Sequence, residues 1–145
     1  MADIQKPLKF EWQFTVLEIH LDTFGHMNHA TYLQMFEQAR WEFITARGYG
    51  LQKIQETKIG PTILEVVVNY KRELRLRDVI TVESETVAYT SKIGKVQQKM
   101  INKKGDVCAT IELTIGLFDM NSRRLISPTK EWLHAIGAGT ENSSL

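Results

Sequence analysis

Three of the chain's four histidines and one carboxylate fall within the ten residues from His20 to His29: His20, Asp22, His26 and His29, with Gly25 and Asn28 among them and Tyr32 just beyond. Side chains of these types ligate metals, cap turns and helix ends, or attack and deprotonate at an electrophilic carbon. As metal ligands the set lacks the i, i+4 histidine pair that one helix face presents to zinc, and no cysteine stands nearby. As caps, Asp22 and Asn28 would bond local N–H groups while the histidines satisfy other backbone groups. As a reaction centre, the stretch offers a carboxylate on a loop bent at Gly25, directly before a helix. A helix N-terminus has unpaired N–H groups and a positive dipole end, which polarise a carbonyl oxygen and stabilise an oxyanion. A carboxylate beside it serves as nucleophile or as general base on water. Spacing alone leaves the structural and catalytic readings open.

The elements that must position this cluster follow from hydrophobic period. Residues 10–20 alternate, with Phe10, Trp12, Phe14 and Val16 on one side, which predicts a half-buried strand. From Ala30 to Arg47 the period becomes helical through Tyr32, Phe36, Ala39 and Phe43, widened by Leu33, Met35 and Ile44; Asn28 suits the N-cap and Gly48 the stop. After Pro61 the chain turns to β, with strands at 62–70, 79–87, 96–101 and 107–118 and turn chemistry at Ser91–Gly94 and Asn102–Asp106. The last three strands should form an antiparallel meander. A short helix is expected at Lys130–Ile136, and residues 1–8 and 137–145 read as frayed ends around a core of about 8–136. This order describes one α+β domain over 1–145, an antiparallel sheet whose buried face wraps one long helix.

Composition narrows the function. The 145 residues suffice for one core, and 43% hydrophobic with 24% charged content suits a soluble domain. Eighteen Lys+Arg against seventeen Asp+Glu give a formal +1, so no global basic field points to nucleic acid or an anionic membrane. No apolar run approaches the length of a membrane span, and no signal peptide is visible. The single Cys108 excludes an intramolecular disulfide framework, suits a reducing, cytoplasmic setting, and reads as a core residue rather than a nucleophile.

The run Asp22-x-x-Gly25-His26-Met27-Asn28-His29-Ala30-x-Tyr32-Leu33, followed by Phe36-Glu37-x-Ala39-Arg40, resembles the signature of the hot-dog-fold acyl-CoA thioesterases. The nearest branch is that of the 4-hydroxybenzoyl-CoA and short-chain acyl-CoA thioesterases. The likeness continues through Val67–Ile80 and covers roughly residues 10–120. It implies the hot-dog fold and hydrolysis of an acyl or aroyl thioester to the acid and free CoA, without metal or cofactor. Asp22 would be the catalytic carboxylate, Gly25 would permit the turn, and the His29 N–H would polarise the thioester carbonyl. The His29 imidazole would orient water or protonate the thiolate, while Asn28 and Tyr32 would contact substrate. The resemblance also implies a homodimer or dimer of dimers, with sheets joined side by side and active sites at the subunit interface. Many relatives have Asn where this chain has His29, and Gly where it has Arg77.

Other candidates have simpler readings beside them. Glu37 is a possible second acid, or pairs with Arg40 at i, i+3. Glu65 faces solvent or lines a cavity. Lys71, Arg72, Arg75 and Arg77 are individually a solvated strand end; gathered with Ser91, Lys92 and Lys95 on a facing hairpin, they would receive the phosphates of CoA. Two further functions remain open. A hot-dog hydratase or dehydratase would act on enoyl or hydroxyacyl thioesters, although its usual Asp-x-Asn-Pro-x-His run is absent. A non-catalytic acyl-CoA-binding protein would keep the fold alone.

Overall fold

Alternating apolar residues in four long strands give the sheet a single buried face, and the computed structural model shows how that face is assembled over residues 2–139. The strands are β1 (Lys9–Thr15), β2 (Ile59–Tyr70), β3 (Val79–Thr90), β4 (Ile93–Ile101), β5 (Val107–Asp119) and β6 (Arg124–Ile126); the helices are α1 (His29–Ala46), α2 (Leu51–Thr57) and α3 (Lys130–Ala135). They form one antiparallel sheet in the order β1-β3-β4-β5-β2, with β6 pairing the end of β5. The expected β3–β4–β5 meander is present, and β1 and β2 add at its two sides. Inward positions alternate with outward ones: Ile80, Val82 and Ser84 on β3, Val96, Gln98 and Met100 on β4, Ile111, Leu113 and Ile115 on β5.

Helix α1 lies in the hollow of this sheet because its apolar stripe is long enough to fill it. Tyr32, Met35, Phe36, Ala39, Phe43 and Ile44 are buried, and Phe36 has no exposed surface. Each large side chain buried this fully contributes roughly 1.5–3 kcal/mol. The Asn28 side chain caps the helix by accepting from the Ala30 N–H at 2.9 Å, worth about 1 kcal/mol. At the other end Gly48 takes the left-handed conformation (φ 92°), as a helix stop requires.

Several expectations need correction. The first strand ends at Thr15 rather than His20. Val16 bonds the Arg77–Asp78 segment, and Glu18–His20 form a 3-10 turn with Leu17 N–H donating to His20 Nδ1 at 2.9 Å. Leu33 does not join the buried stripe; it stays 39% exposed. The N-terminus is not frayed throughout, since Ile4 N–H donates to Val87 O and Tyr89 N–H to Ala2 O, continuing the pairing along β3 beyond the start of β1. At the C-terminus Gly137–Gly139 fold back on Leu133 and His134, while 140–145 lie outside the described residues. Helix α2 and strand β6 were not expected. Each is short, and α2 buries only Ile54. No helix among the described residues is long and apolar enough to cross a membrane.

Candidate active site

The loop before α1 is a closed turn, and its closure comes from Asp22. The Asp22 Oδ1 accepts the N–H groups of Phe24 (2.9 Å) and His26 (3.2 Å). The Asp22 N–H donates to His26 O, and the Gly25 N–H to Asp22 O. Gly25 sits at φ 83°, a left-handed conformation that a β-carbon disfavours. The loop is clipped to the segment after β2 by Met27 N–H to Leu74 O at 2.8 Å and by a bridge between His26 and Arg75. These bonds occupy one oxygen of a half-buried carboxylate. Among the described residues Oδ2 has no hydrogen-bond partner.

The helix end beside it is similarly divided. Ala30 N–H is taken by the Asn28 side chain and Thr31 N–H by Asn28 O. The His29 N–H has no acceptor among the described residues. His29, the first residue of an 18-residue helix, thus keeps an unpaired N–H, and Asp22 keeps an unengaged carboxylate oxygen. Both line a hollow of about 310 Å³ with Tyr32, Tyr70, Lys71 and Arg72. The Tyr70 hydroxyl donates to His29 O at 2.9 Å and its ring meets Tyr32 edge-on at 5.0 Å, which steadies the rim. Burial raises the Tyr32 phenol above its ordinary value, so it stays protonated at neutral pH.

The histidines divide by role. His20 spends Nδ1 on Leu17 N–H and stacks edge-on with Phe14, which makes it structural. His26 faces Glu73 at 3.1 Å, and Glu73 meets Arg75 at 3.6 Å. The His29 ring is exposed at the rim of the hollow. Among the described residues no three His, Cys, Asp or Glu side chains converge as a metal-holding group.

The basic cluster is only partly assembled. Lys71 and Arg72 reach the hollow, Arg72 also meeting Asp106 at 3.9 Å, whereas Arg75 is turned to Glu73 and Arg77 to Glu18. Ser91 and Lys92 are displaced from it. They form the turn after β3, while Lys71–Arg77 precede β3, so the strand's full length of about 35 Å separates them within one subunit. Lys95 is spent on Glu112 and Thr114 on the outer sheet face. The Glu37–Arg40 pair is not made either: Arg40 turns inward and donates to Gln98 Oε1 at 2.9 Å. Glu65 is exposed, and Cys108 is a core residue, 1% exposed, with its thiol pushed up by burial. Two residues that organise the site were not singled out from sequence: Tyr70, which looks like any strand aromatic, and Glu73, whose link to His26 crosses between segments.

An antiparallel sheet whose buried face holds one long helix is the architecture of the hot-dog folds. Residues 17–136 match the family model described as the Thioesterase-like superfamily, and the chain belongs to that family. The long-chain acyl-CoA thioesterase FadM of Escherichia coli K12 is 27% identical over 116 residues, covering 79% of this chain and 87% of that one. The acyl-CoA thioester hydrolase YbgC of Escherichia coli is 21% identical, with coverage of 76% and 82%. A Staphylococcus aureus protein solved in complex with CoA superposes with a TM-score of 0.84 at 21% identity, over 100% of this chain and 95% of that one. A 1,4-dihydroxy-2-naphthoyl-CoA thioesterase from Synechocystis gives 0.81 at 14% identity, over 88% and 95%.

Proposed function

We propose that this chain is an acyl-CoA thioesterase in which Asp22 and the His29 N–H act on the thioester carbonyl. The observation that carries the reading is that Asp22, with one carboxylate oxygen unengaged, and His29, with its helix-terminal N–H unpaired among the described residues, line one hollow with Lys71 and Arg72. The two cations receive phosphate oxygens of CoA by charge-assisted bonds. The carbonyl oxygen accepts from His29 N–H, where the helix dipole steadies the negative charge that develops on it. Asp22 then either attacks the carbonyl carbon, giving an acyl-carboxylate anhydride that water cleaves, or takes a proton from the attacking water. In both routes the C–S bond breaks and the CoA thiolate is protonated, a proton that this reading assigns to the exposed His29 imidazole. Gly25 holds the loop, while Asn28 and Tyr32 keep the helix entrance in place.

The same reading calls for a second copy. Strand β2 has one unpaired edge over 12 residues, and Ile63, Leu64, Val66, Val67 and Tyr70 along it are each more than 40% exposed. Long apolar edges of this kind pair with another strand. Antiparallel pairing of two β2 edges about a two-fold axis continues the sheet from one copy into the next. It also brings the Ser91–Lys92 turn of one copy toward the Lys71–Arg72 end of the other, supplying the arm of the phosphate site that one subunit lacks. CoA as substrate and an unpaired Cys108 fit a cytoplasmic enzyme.

The test is CoA release from a panel of acyl-CoAs by wild type and Asp22→Asn. Asparagine keeps a carbonyl oxygen for the Phe24 and His26 N–H groups, so the loop stays closed while the base or nucleophile is lost. A fall of about 10²–10⁴ in kcat is expected. Full activity in the variant removes Asp22 from the chemistry, and a wild type inert to every thioester removes the function. Absorbance change with crotonyl-CoA would indicate hydratase chemistry instead.

A further inference from the structure

Strand β2 carries a bulge at its middle, and that irregularity governs how two copies can meet along their free edges. The β2 residues opposite buried positions of β5 are Pro61 and Ile63 before the bulge, and Val66, Val68 and Tyr70 after it. The register shifts between Ile63 and Glu65, leaving Leu64 as the extra residue. Inward positions therefore carry odd numbers in the first half of the strand and even numbers in the second. Antiparallel neighbours place directly opposed side chains on the same face of a sheet. A two-fold axis between Leu64 and Glu65 meets that condition: Val66 comes opposite the partner's Ile63, Val68 opposite the partner's Pro61 and Tyr70 opposite the partner's Ile59. The same axis lies at the centre of the twelve-residue strand, so both edges are used over their full length. Without the bulge, full-length pairing would set inward residues against outward ones.

The ladder of β2 runs one residue past each of its ends. Lys58 O accepts from Met120 N–H and Lys71 N–H donates to Cys108 O, both at 2.8 Å. With Tyr70 opposite the partner's Ile59, Lys71 comes opposite the partner's Lys58, their Cα atoms about 5 Å apart. Lys58 is exposed, and neither lysine has an ion pair among the described residues. Arg72, next to Lys71, has only the 3.9 Å contact with Asp106. Like charges set opposite one another across a ladder repel. An anion held between them removes the repulsion and gains charge-assisted bonds.

We infer that the β2 bulge sets the register of the dimer, and that Lys58 of the partner subunit thereby joins Lys71 and Arg72 in receiving the phosphates of CoA. Each phosphate site is then shared between two chains and incomplete in one. The inference rests on the thioesterase reading and deepens it by naming a residue that the second copy supplies.

Cross-linking reads the register without reference to activity. Oxidised Ile63→Cys/Val66→Cys should join two chains by disulfides, since these positions oppose each other across the axis, while Val66→Cys alone should not. A double variant that stays unlinked overturns the register, as does cross-linking of Val66→Cys alone, which would put the axis at Val66. Kinetics read the phosphate contact. Lys58→Asn suits the left-handed backbone at this position (φ 59°) and removes the cation. Its KM should rise about tenfold for an acyl-CoA and stay at the wild-type value for the matching acyl-pantetheine, which has no phosphates. No rise, or an equal rise for both thioesters, overturns the contact. Mixed dimers of Asp22→Asn and Lys58→Asn chains, isolated through two different tags, then locate the lysine. Sharing leaves one site with both groups intact, so the mixed dimer should show the wild-type KM at half the wild-type kcat. A mixed dimer with the raised KM of Lys58→Asn places the lysine in its own subunit's site and overturns the inference. A wild type inert to every thioester refutes the thioesterase reading and the phosphate contact with it, while cross-linking still decides the register.

Discussion

Replacing Gln98 with Leu removes the polar hub beneath α1. Gln98 is 1% exposed. Its amide donates to Phe36 O at 3.0 Å and to Ser84 Oγ at 2.9 Å, while Oε1 accepts from Arg40. Leucine fills a similar volume and offers none of these bonds. Phe36 O retains the helical N–H that already bonds it, so its loss is small. The Ser84 hydroxyl, 1% exposed, is left unpaired in the core, at about 1–3 kcal/mol. Arg40 loses its one acceptor among the described residues, a bond to a charged group worth roughly 1.5–3 kcal/mol. Sparing the desolvation of a buried amide offsets part of this, and the net loss comes to about 2–4 kcal/mol. In a chain of this size that lowers Tm by roughly 10 °C. Thermal melts at one fixed protein concentration read it, since association shifts Tm by mass action. The double variant Ser84→Ala/Gln98→Leu removes the orphaned hydroxyl and should recover about 1 kcal/mol relative to the sum of the singles. A Gln98→Leu protein melting within 2–3 °C of wild type, or strictly additive singles, would refute this account.

Three further outcomes follow from the site and core. Gly25→Ala meets no atom within 4 Å, so its cost is conformational: at φ 83° a β-carbon adds about 1–2 kcal/mol, loosens the Asp22 turn and lowers kcat. Gly25→Asn, which tolerates that conformation, should retain more activity in the same assay, and equal loss in both variants would contradict the backbone explanation. Cys108, buried and with its thiol raised chiefly by desolvation, should resist a thiol reagent at pH 8 in the native protein and react on addition of denaturant. Analytical ultracentrifugation should show a dimer that Val67→Lys weakens, while an unchanged sedimentation coefficient across micromolar concentrations at the monomer value would remove the β2 pairing.

The long elements were legible because burial imposes a period on them. Tyr32, Phe36, Ala39 and Phe43 mark α1 since only one helical face meets the sheet, and β3 alternates since one side is wet. The Asp22–His29 cluster was equally visible, because a turn, a cap and a carboxylate are local in sequence. What crosses between segments was not. The run Val16-Leu17-Ile19 continues the apolar pattern of β1, yet Val16 N–H donating to Asp78 O, Arg77 N–H to Val16 O and Leu17 N–H to His20 Nδ1 end the strand. Arg40 looked like a partner for Glu37 one turn away, but its acceptor is on β4, 58 residues distant in sequence. Ser91 and Lys92 share basic or polar character with Lys71 and Arg72, and character does not reveal which end of a sheet a turn occupies. Arg77 stands where relatives often have glycine, and it does adopt φ 68°. It bears that strain beside an ion pair to Glu18.

The placement of β1 has a consequence for how the molecule comes into being. Its partner is β3, with Lys9 opposite Glu85, whereas β3, β4 and β5 join neighbours across short turns. The local hairpins are therefore the parts that close fastest, and the β1–β3 ladder carries the greater loop-closure entropy. On a ribosome, Phe10, Trp12 and Phe14 emerge well before residue 79 and have no strand to lie against. The stripe of α1 emerges next, with the sheet that will cover it still unmade. For more than half the length of synthesis the nascent chain thus displays these apolar segments unprotected, which makes it a substrate for chaperones until the meander appears.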